Sequence, residues 1–288
     1  MPVTRATTVS LSLLTLVALT LAGCSATSSA TAQSVAGSEG VALPPTSGVF
    51  DYQLDGTYDE VDAGSGPVGI DVVVRDADAE PLAGAYNVCY VNGFQTQPED
   101  AELWLEHPDL LLSDGADGFA TDPGWPGEYV LDPSTNAQRE GILAIVAPLV
   151  AQCADRGFDA LEVDNLDTFD RFPAIDRDGS LALATAYAQL AHEHGLAIGQ
   201  KNAAELAQVA HAELGFDFAI AEECGVWEEC GAYAEVYGDQ VLQIEYTDQL
   251  DAEAFAGVCA LADRAPLTIL RDRYLGVPGD ADYVYDNC

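Results

Sequence analysis

Basic side chains are what this chain has least of. Lys and Arg together number 10 against 48 Asp and Glu over 288 residues, a formal net charge of −38. Lys201 is the only lysine. Such a surface repels polyanions, which argues against nucleic acid and anionic lipid headgroups as partners. The familiar nucleotide and acyl-transfer motifs are also missing. No strand is followed by Gly-x-Gly-x-x-Gly, and there is no phosphate loop and no Gly-x-Ser-x-Gly elbow. No Cys-x-x-Cys pair occurs, and His107, His192, His194 and His211 do not sit at ligand spacing. They read as surface residues, so neither a metal nor an organic cofactor is expected. The acidic excess itself has two readings, a solvated surface or attraction to a cationic partner, and composition alone favours the first.

Long hydrophobic runs are scarce too. The run from Leu11 to Ala22, preceded by Arg5, is too short to span a bilayer as a mature helix. It ends Leu21-Ala22-Gly23-Cys24, which resembles the lipobox of bacterial lipoproteins. On that reading residues 1–23 are a signal peptide, Cys24 is acylated, and the lipid is the only membrane contact, on the outer face of the cell membrane. The alternative is an ordinary secretory signal cut after Ala30-Thr31-Ala32. Residues 24–47, rich in Ser, Thr, Ala and Gly, read as a flexible tether. The folded domain is expected over 48–288.

Removing Cys24 leaves six of the seven cysteines, an even number in an exported chain, which indicates disulfides. Sequence alone does not choose among the possible pairings. Cys224 and Cys230 are close enough to staple one loop, and Cys259 with Cys288 would tie the C-terminal tail to a helix. Cys89 and Cys153 remain.

The most informative stretch that is present is Gly157-Phe158-Asp159-Ala160-Leu161-Glu162-Val163-Asp164-Asn165-Leu166-Asp167. It reads as a buried strand ending in acids. Strand alternation puts Glu162 and Asp164 on one face, with Leu161 and Val163 on the other. Two carboxylates on one face of a buried strand are costly unless something solvates or uses them. Seven further strands are expected, near 50–54, 69–75, 85–91, 196–200, 216–222, 241–245 and 267–271. Helices are expected from Ser134 or Thr135 to Arg156, with Pro148 kinking or breaking it, and over 181–194, 203–214, 233–237 and 252–264. Strand–helix alternation with eight strands implies a single α/β (β/α)8 barrel of the TIM type, and about 250 residues suffice for one. The segment between the first two strands is too short and too rich in Gly and Asp for a helix, so the first βα unit is expected to be degenerate. An open doubly wound sheet is the alternative. The long segment after Val91, through Trp104, Trp125 and Tyr129, has little periodicity and reads as a functional loop.

Polar residues leave the C-terminal end of every strand, where barrel active sites lie. They include Asp51 and Tyr52; Asp76; Tyr90 and Asn92; Asp164, Asn165 and Asp167; Lys201 and Asn202; Glu222 and Glu223; Glu245 and Tyr246; and Arg271. What this set holds in quantity is carboxylate, which with aromatic platforms such as Trp104 and Trp125 describes glycoside hydrolysis. Surrounding acids would raise the Lys201 pKa, which suits an orienting or charge-balancing role and not a Schiff base.

Phe50-Asp51-Tyr52-Gln53-Leu54, Asn87-Val88-Cys89-Tyr90-Val91-Asn92, Glu162-Val163-Asp164-Asn165-Leu166-Asp167, Gly199-Gln200-Lys201-Asn202, Ala221-Glu222-Glu223-Cys224 and Ile244-Glu245-Tyr246 together resemble glycoside hydrolase family 114. The chain departs from the family pattern at Phe50, usually Trp, and at Ala221, frequently Asn. The resemblance covers Val49 to Cys288 and implies a (β/α)8 endo-α-1,4-polygalactosaminidase. It further implies Asp164 as nucleophile and Glu222 as acid/base, with Glu223 as the alternative because strand parity alone does not decide. Glu162 is then a deeper supporting acid, and Asn165 and Asp167 shape the rim. The implied substrate is a polysaccharide of galactosamine, cationic where not acetylated, and the expected enzyme is a monomer. A non-catalytic carbohydrate-binding lipoprotein, or a glycosidase for another α-linked polymer, are the competing readings.

Overall fold

The computed structural model describes residues 1–2, 40–116 and 118–288. The signal peptide, Cys24 and the tether as far as residue 39 lie outside the described residues. The domain begins earlier than expected. Val41 packs on the core, and the Ala42 carbonyl accepts a hydrogen bond from the Tyr86 hydroxyl at 2.7 Å, so the end of the supposed tether is already part of the fold.

Eight parallel strands follow in chain order: β1 Phe50–Gln53, β2 Val72–Asp76, β3 Tyr86–Asn92, β4 Ala160–Asp164, β5 Ala197–Lys201, β6 Phe218–Glu222, β7 Val241–Tyr246 and β8 Leu267–Arg271. Each pairs with its sequence neighbour, and a short antiparallel strand, β9 Tyr285–Asn287, adds to β8. All eight parallel strands fall where apolar runs predict them. Val72, Val73 and Val74 are wholly buried, as expected of a strand covered on both faces.

Helices cover the outside from the third unit onward: α1 Asn136–Arg156, α2 Arg177–Glu193, a composite helical segment over 204–214, α3 Cys230–Tyr237 and α4 Ala252–Cys259. Thr135 caps α1 in a capping box with Gln138, and left-handed Gly157 ends it. Pro148 does not break this helix. It and Ala144, whose carbonyl loses its partner, both lie on the exposed side, so the freed carbonyl is not buried unsatisfied. The β1–β2 connection holds only a two-residue pairing of Glu60–Val61 with Val68–Gly69, and β2–β3 has no helix either. The degenerate region is therefore two units long.

Leu161 and Val163 of β4 pack outward with Ile142 and Val146 of α1 and Leu183 of α2, so the even-numbered side chains of β4 face the barrel interior. The packing is close: a Cβ on Gly93 would meet Val163 at 2.2 Å, and the Gly93 carbonyl accepts from the Tyr187 hydroxyl of α2 at 2.8 Å. All three expected disulfides form, Cys89–Cys153, Cys224–Cys230 and Cys259–Cys288. The first pins α1 to β3.

The sheet does not close through a ladder between β8 and β1 among the described residues. The β8 edge that would face β1 is taken by β9, which pairs Ile269 with Asn287 and Arg271 with Tyr285. Side chains bridge the seam instead. Arg271, fully buried, donates to Asp51 Oδ1 at 2.5 Å and to the Tyr52 carbonyl at 2.6 Å, and the Tyr285 hydroxyl donates to the Phe50 carbonyl at 2.9 Å. Removing one member of a buried ion pair leaves an uncompensated charge. Arg271→Met is expected to cost about 3–5 kcal/mol in denaturant unfolding, with much of the loss recovered in Arg271→Met/Asp51→Asn. Equal stability of Arg271→Met and the parent would show that the seam does not depend on this pair.

Candidate active site

The C-terminal ends of β1–β7 surround a cleft of about 670 Å³. Its floor is organised by Lys201, the last residue of β5, which is 3% exposed. The ammonium lies 3.1 Å from Glu162 Oε1, 3.5 Å from Asp164 Oδ1 and 3.4 Å from Glu222 Oε2. It also donates to the Tyr52 hydroxyl at 3.0 Å. Burial pulls its pKa down, but Asp164, Glu222 and Glu162 outweigh that and push it well above the ordinary value. The amine stays charged, which rules it out as a nucleophile in the resting site.

Asp164 ends β4. Its Oδ2 accepts from the Tyr90 hydroxyl of β3 at 2.8 Å and its Oδ1 from the Asn165 amide at 2.8 Å. Asn165 adopts a left-handed backbone, φ +67°, which asparagine tolerates better than most residues. Glu222 ends β6. Its Oε1 accepts from the Tyr246 hydroxyl of β7 at 2.5 Å and its Oε2 from Asn202 Nδ2 at 2.9 Å. Asn202 also receives the Glu222 amide at 2.8 Å, holding backbone and side chain together. Because one ammonium nitrogen sits 3.5 Å and 3.4 Å from the two carboxylates, those oxygens are at most about 7 Å apart. Strand parity left Glu222 and Glu223 open, and the two side chains lie in different places. Glu223 turns away, ion-paired to Arg273 at 2.5 Å, while Glu222 lines the cleft beside Lys201.

Two of the carboxyls around Lys201, Glu222 and Glu162, are shifted in opposite directions. Burial would raise Glu222, but the Lys201 charge and the Tyr246 and Asn202 donors outweigh it and hold this carboxyl below its usual range. Glu162 is wholly buried, and its Oε2 has no partner among the described residues. Burial, helped by Asp164, lifts it to about 7 against the opposing pull of Lys201 and Tyr52. Burial also drives the Tyr52, Tyr90 and Tyr246 hydroxyls well above their ordinary range, so they remain donors.

The long loop after β3 does line the cleft. It brings Gln97, Glu99, Asp122, Trp125 and Glu128 against the strand ends, tied to the barrel by bonds from Gln97 to Asp76 at 3.0 Å and from Asn92 to Glu128 at 3.2 Å. Glu128 is lifted by burial, and by Asp164 and Asp122, to about 7. Arg171 bridges Asp122, Asp167 and Asn165 across this wall. On the opposite rim Arg273 stacks 4.0 Å over the Tyr246 ring, next to exposed Tyr274. Glu128, Arg171 and Arg273 were not expected from sequence: Glu128 and Arg171 lie well past any strand end, and Arg273, two residues beyond β8, stands behind Arg271 and Asp272, which took the place of the strand-end polar pair. Excess acid in the loop was the one available signal.

Several expected site residues lie elsewhere. Asp51 and Arg271 are consumed by the seam. Glu245 is buried, accepting from the Gly225 amide at 2.8 Å and from Gln243 at 2.7 Å, so it props a loop and does not reach the cleft. Trp104 is a core residue, 4% exposed, packed in the cluster that includes Phe94 and Leu131. Asn92 is second to the cleft, accepting from Asn165 Nδ2 at 3.1 Å. Tyr52, Asp76, Tyr90, Asn165, Asp167, Asn202, Tyr246 and Trp125 do line it.

A parallel α/β barrel with carboxylates converging at its strand ends around a sugar-sized cleft defines a glycoside hydrolase. The model of glycoside-hydrolase family GH114 matches residues 30–288, and the chain belongs to that family. Among solved structures it is similar to Aspergillus fumigatus Ega3 in complex with galactosamine, at 19% identity and TM-score 0.61, covering 87% of this chain and 97% of that one. It is also similar to the glycoside hydrolase domain of PelA from Pseudomonas aeruginosa, at 16% identity and TM-score 0.55, covering 81% and 98%. At these identities the likeness is one of fold. No curated protein sequence matches the chain.

The raised Glu162 carboxyl has a measurable consequence. Its folded pKa near 7 exceeds the ordinary 4.5, so the stability linked to its proton is complete below pH 4.5 and is lost as pH rises through 7. That loss is on the order of 3 kcal/mol. Glu162→Gln keeps an acceptor for Tyr52 and Lys201 but cannot titrate. Thermal midpoints between pH 4.5 and 7 should fall less steeply in this variant than in the parent; identical slopes would exclude the assignment.

Proposed function

We propose that this chain is an endo-acting hydrolase of α-1,4-linked, galactosamine-rich polysaccharide, with Asp164 as nucleophile and Glu222 as acid/base. The observation that carries the reading is the single ammonium shared by both carboxylates, which keeps them close and faces them into the same cleft. The cleft's acidic lining suits a polymer bearing unacetylated amino groups. The galactosamine bound to Ega3 supports the same substrate class.

The chemistry follows from the geometry. Asp164 attacks the anomeric carbon while the glycosidic C–O bond breaks, and Glu222 gives its proton to the departing oxygen. This forms a glycosyl ester on Asp164. Glu222, now a carboxylate, takes a proton from water, and the resulting attack on the anomeric carbon releases the sugar and restores Asp164. Lys201 holds Glu222 ionised in the empty site, so Glu222 takes up its acid proton as bound sugar expels the water that solvates it. Lys201 itself balances the charge that shifts between the two acids and is a positioning residue. An upper bound of about 7 Å between the acids accommodates the 5–5.5 Å separation of retaining enzymes and reaches only the low edge of the inverting range, so retention is the expected outcome.

Incubation with de-N-acetylated galactosaminogalactan should generate new reducing ends, and NMR of the first-formed products should give the α-anomer. β-Anomers would exclude Asp164 as a nucleophile, and no cleavage across a panel of α-linked polymers would leave a carbohydrate-binding protein. Asp164→Asn and Glu222→Gln should each lower kcat at least about 10³-fold. Cleavage that survives both substitutions would overturn the assignment.

The N-terminal motif supports export and lipid anchoring at the outer face of a bacterial membrane. Fatty-acid labelling in a bacterial host should mark the parent chain and not Cys24→Ser. Equal labelling would place the anchor elsewhere.

A further inference from the structure

A second groove of about 520 Å³ adjoins the catalytic cleft, and three residues, Asp167, Asn202 and Glu222, line both. The acid/base carboxylate therefore stands at the junction of two cavities. The far wall of the second groove carries Trp227, which is 64% exposed and is not in the lining of the first. Exposing an indole to this extent forgoes a large apolar burial, and the local structure is built to hold it there. Its loop is closed by the Cys224–Cys230 disulfide, the Trp227 amide bonds to the Glu223 carbonyl at 3.0 Å, and buried Glu245 anchors the Gly225 amide. A Cβ on Gly225 would meet Glu245 Oε1 at 2.8 Å and Val258 at 2.8 Å, so the loop lies hard against the barrel.

We infer that this groove is a subsite for the polysaccharide on the Glu222 side of the scissile bond, with a pyranose ring stacked on Trp227. The inference rests on the proposed endo-hydrolase reading. A bond broken within a polymer needs chain on both sides of the acid pair. The larger cleft, with Trp125 and Tyr274, takes one side; the continuous groove beyond Glu222 takes the other. The flat apolar face of a sugar matches an exposed indole, and the groove's flanking acids favour an amino sugar over an acidic one.

The test uses the parent enzyme, Trp227→Ala and Trp227→Phe on de-N-acetylated α-1,4-galactosamine oligomers of graded length, with kcat/KM and product lengths followed by chromatography. A melting curve for each variant checks folding. Trp227→Ala should lose about tenfold in kcat/KM on long oligomers, mostly through KM, lose little on the shortest cleaved oligomer, and shift the product lengths. Trp227→Phe should keep most of the parent's length dependence. If the parent cleaves but Trp227→Ala shows the same length dependence and products, or loses activity equally at every length, the subsite is overturned and the proposed function stands. A parent that cleaves no oligomer or polymer overturns the function and the subsite with it.

Discussion

The interaction on which this site depends is one ammonium among three carboxylates. Without the Lys201 charge, Glu162, Asp164 and Glu222 would repel one another from the ends and interior of neighbouring strands, where burial leaves little water to screen them. With it, Glu222 is held below its usual range and faces the cleft together with Asp164, while Glu162, deeper and with one oxygen unpartnered among the described residues, tends to hold its proton. Strand parity supplies the positions: residues 162 and 164 on β4, the last residue of β5 and the last residue of β6 all point inward at adjacent levels. The two arginines that line the cleft, Arg171 and Arg273, are paired to other acids, so the balancing charge at the centre comes from the single lysine.

Around that centre the structure separates rigid from irregular parts. The tyrosines that orient the acids, Tyr52, Tyr90 and Tyr246, come from β1, β3 and β7 and are fixed by barrel packing. The walls that would touch a substrate come from connections: the loop after β3, the turn after β6 and the segment after β8. This division lets the reacting groups stay fixed while the surface that reads the polymer varies.

What was legible in the sequence follows the same division. Apolar runs located all eight parallel strands, and cap chemistry at Thr135 and Gly157 located both ends of α1. Alternation put Glu162 and Asp164 on one face correctly. It failed where the decisive partner is remote in sequence. Asp51 and Arg271 look like any other strand-end polar pair until their 220-residue separation closes into a buried bridge. Glu245 looks like Glu222, yet its neighbours are a backbone amide and a glutamine where those of Glu222 are a lysine and a tyrosine. Trp104 stands between Leu103 and Leu105 in a short helix and is core, while Trp125 stands between Gly124 and Pro126 and is rim, a difference in local sequence that a search for aromatic platforms passes over. Glu128, Arg273 and Trp227 come from segments with no period to read.

The strand that wedges into the barrel seam has a consequence for how the sheet edge is protected. A sheet left open between β8 and β1 presents an unpaired edge, the feature through which β proteins join one another side by side. Here β9 shields that edge with only three residues, a pairing too short to persist by itself, and the Cys259–Cys288 bridge fastens it to α4. The last cysteine thus fastens the strand that covers this edge. Reduction of this bridge would leave the edge held by the three-residue ladder and by the Tyr285 and Arg271 bonds across the seam.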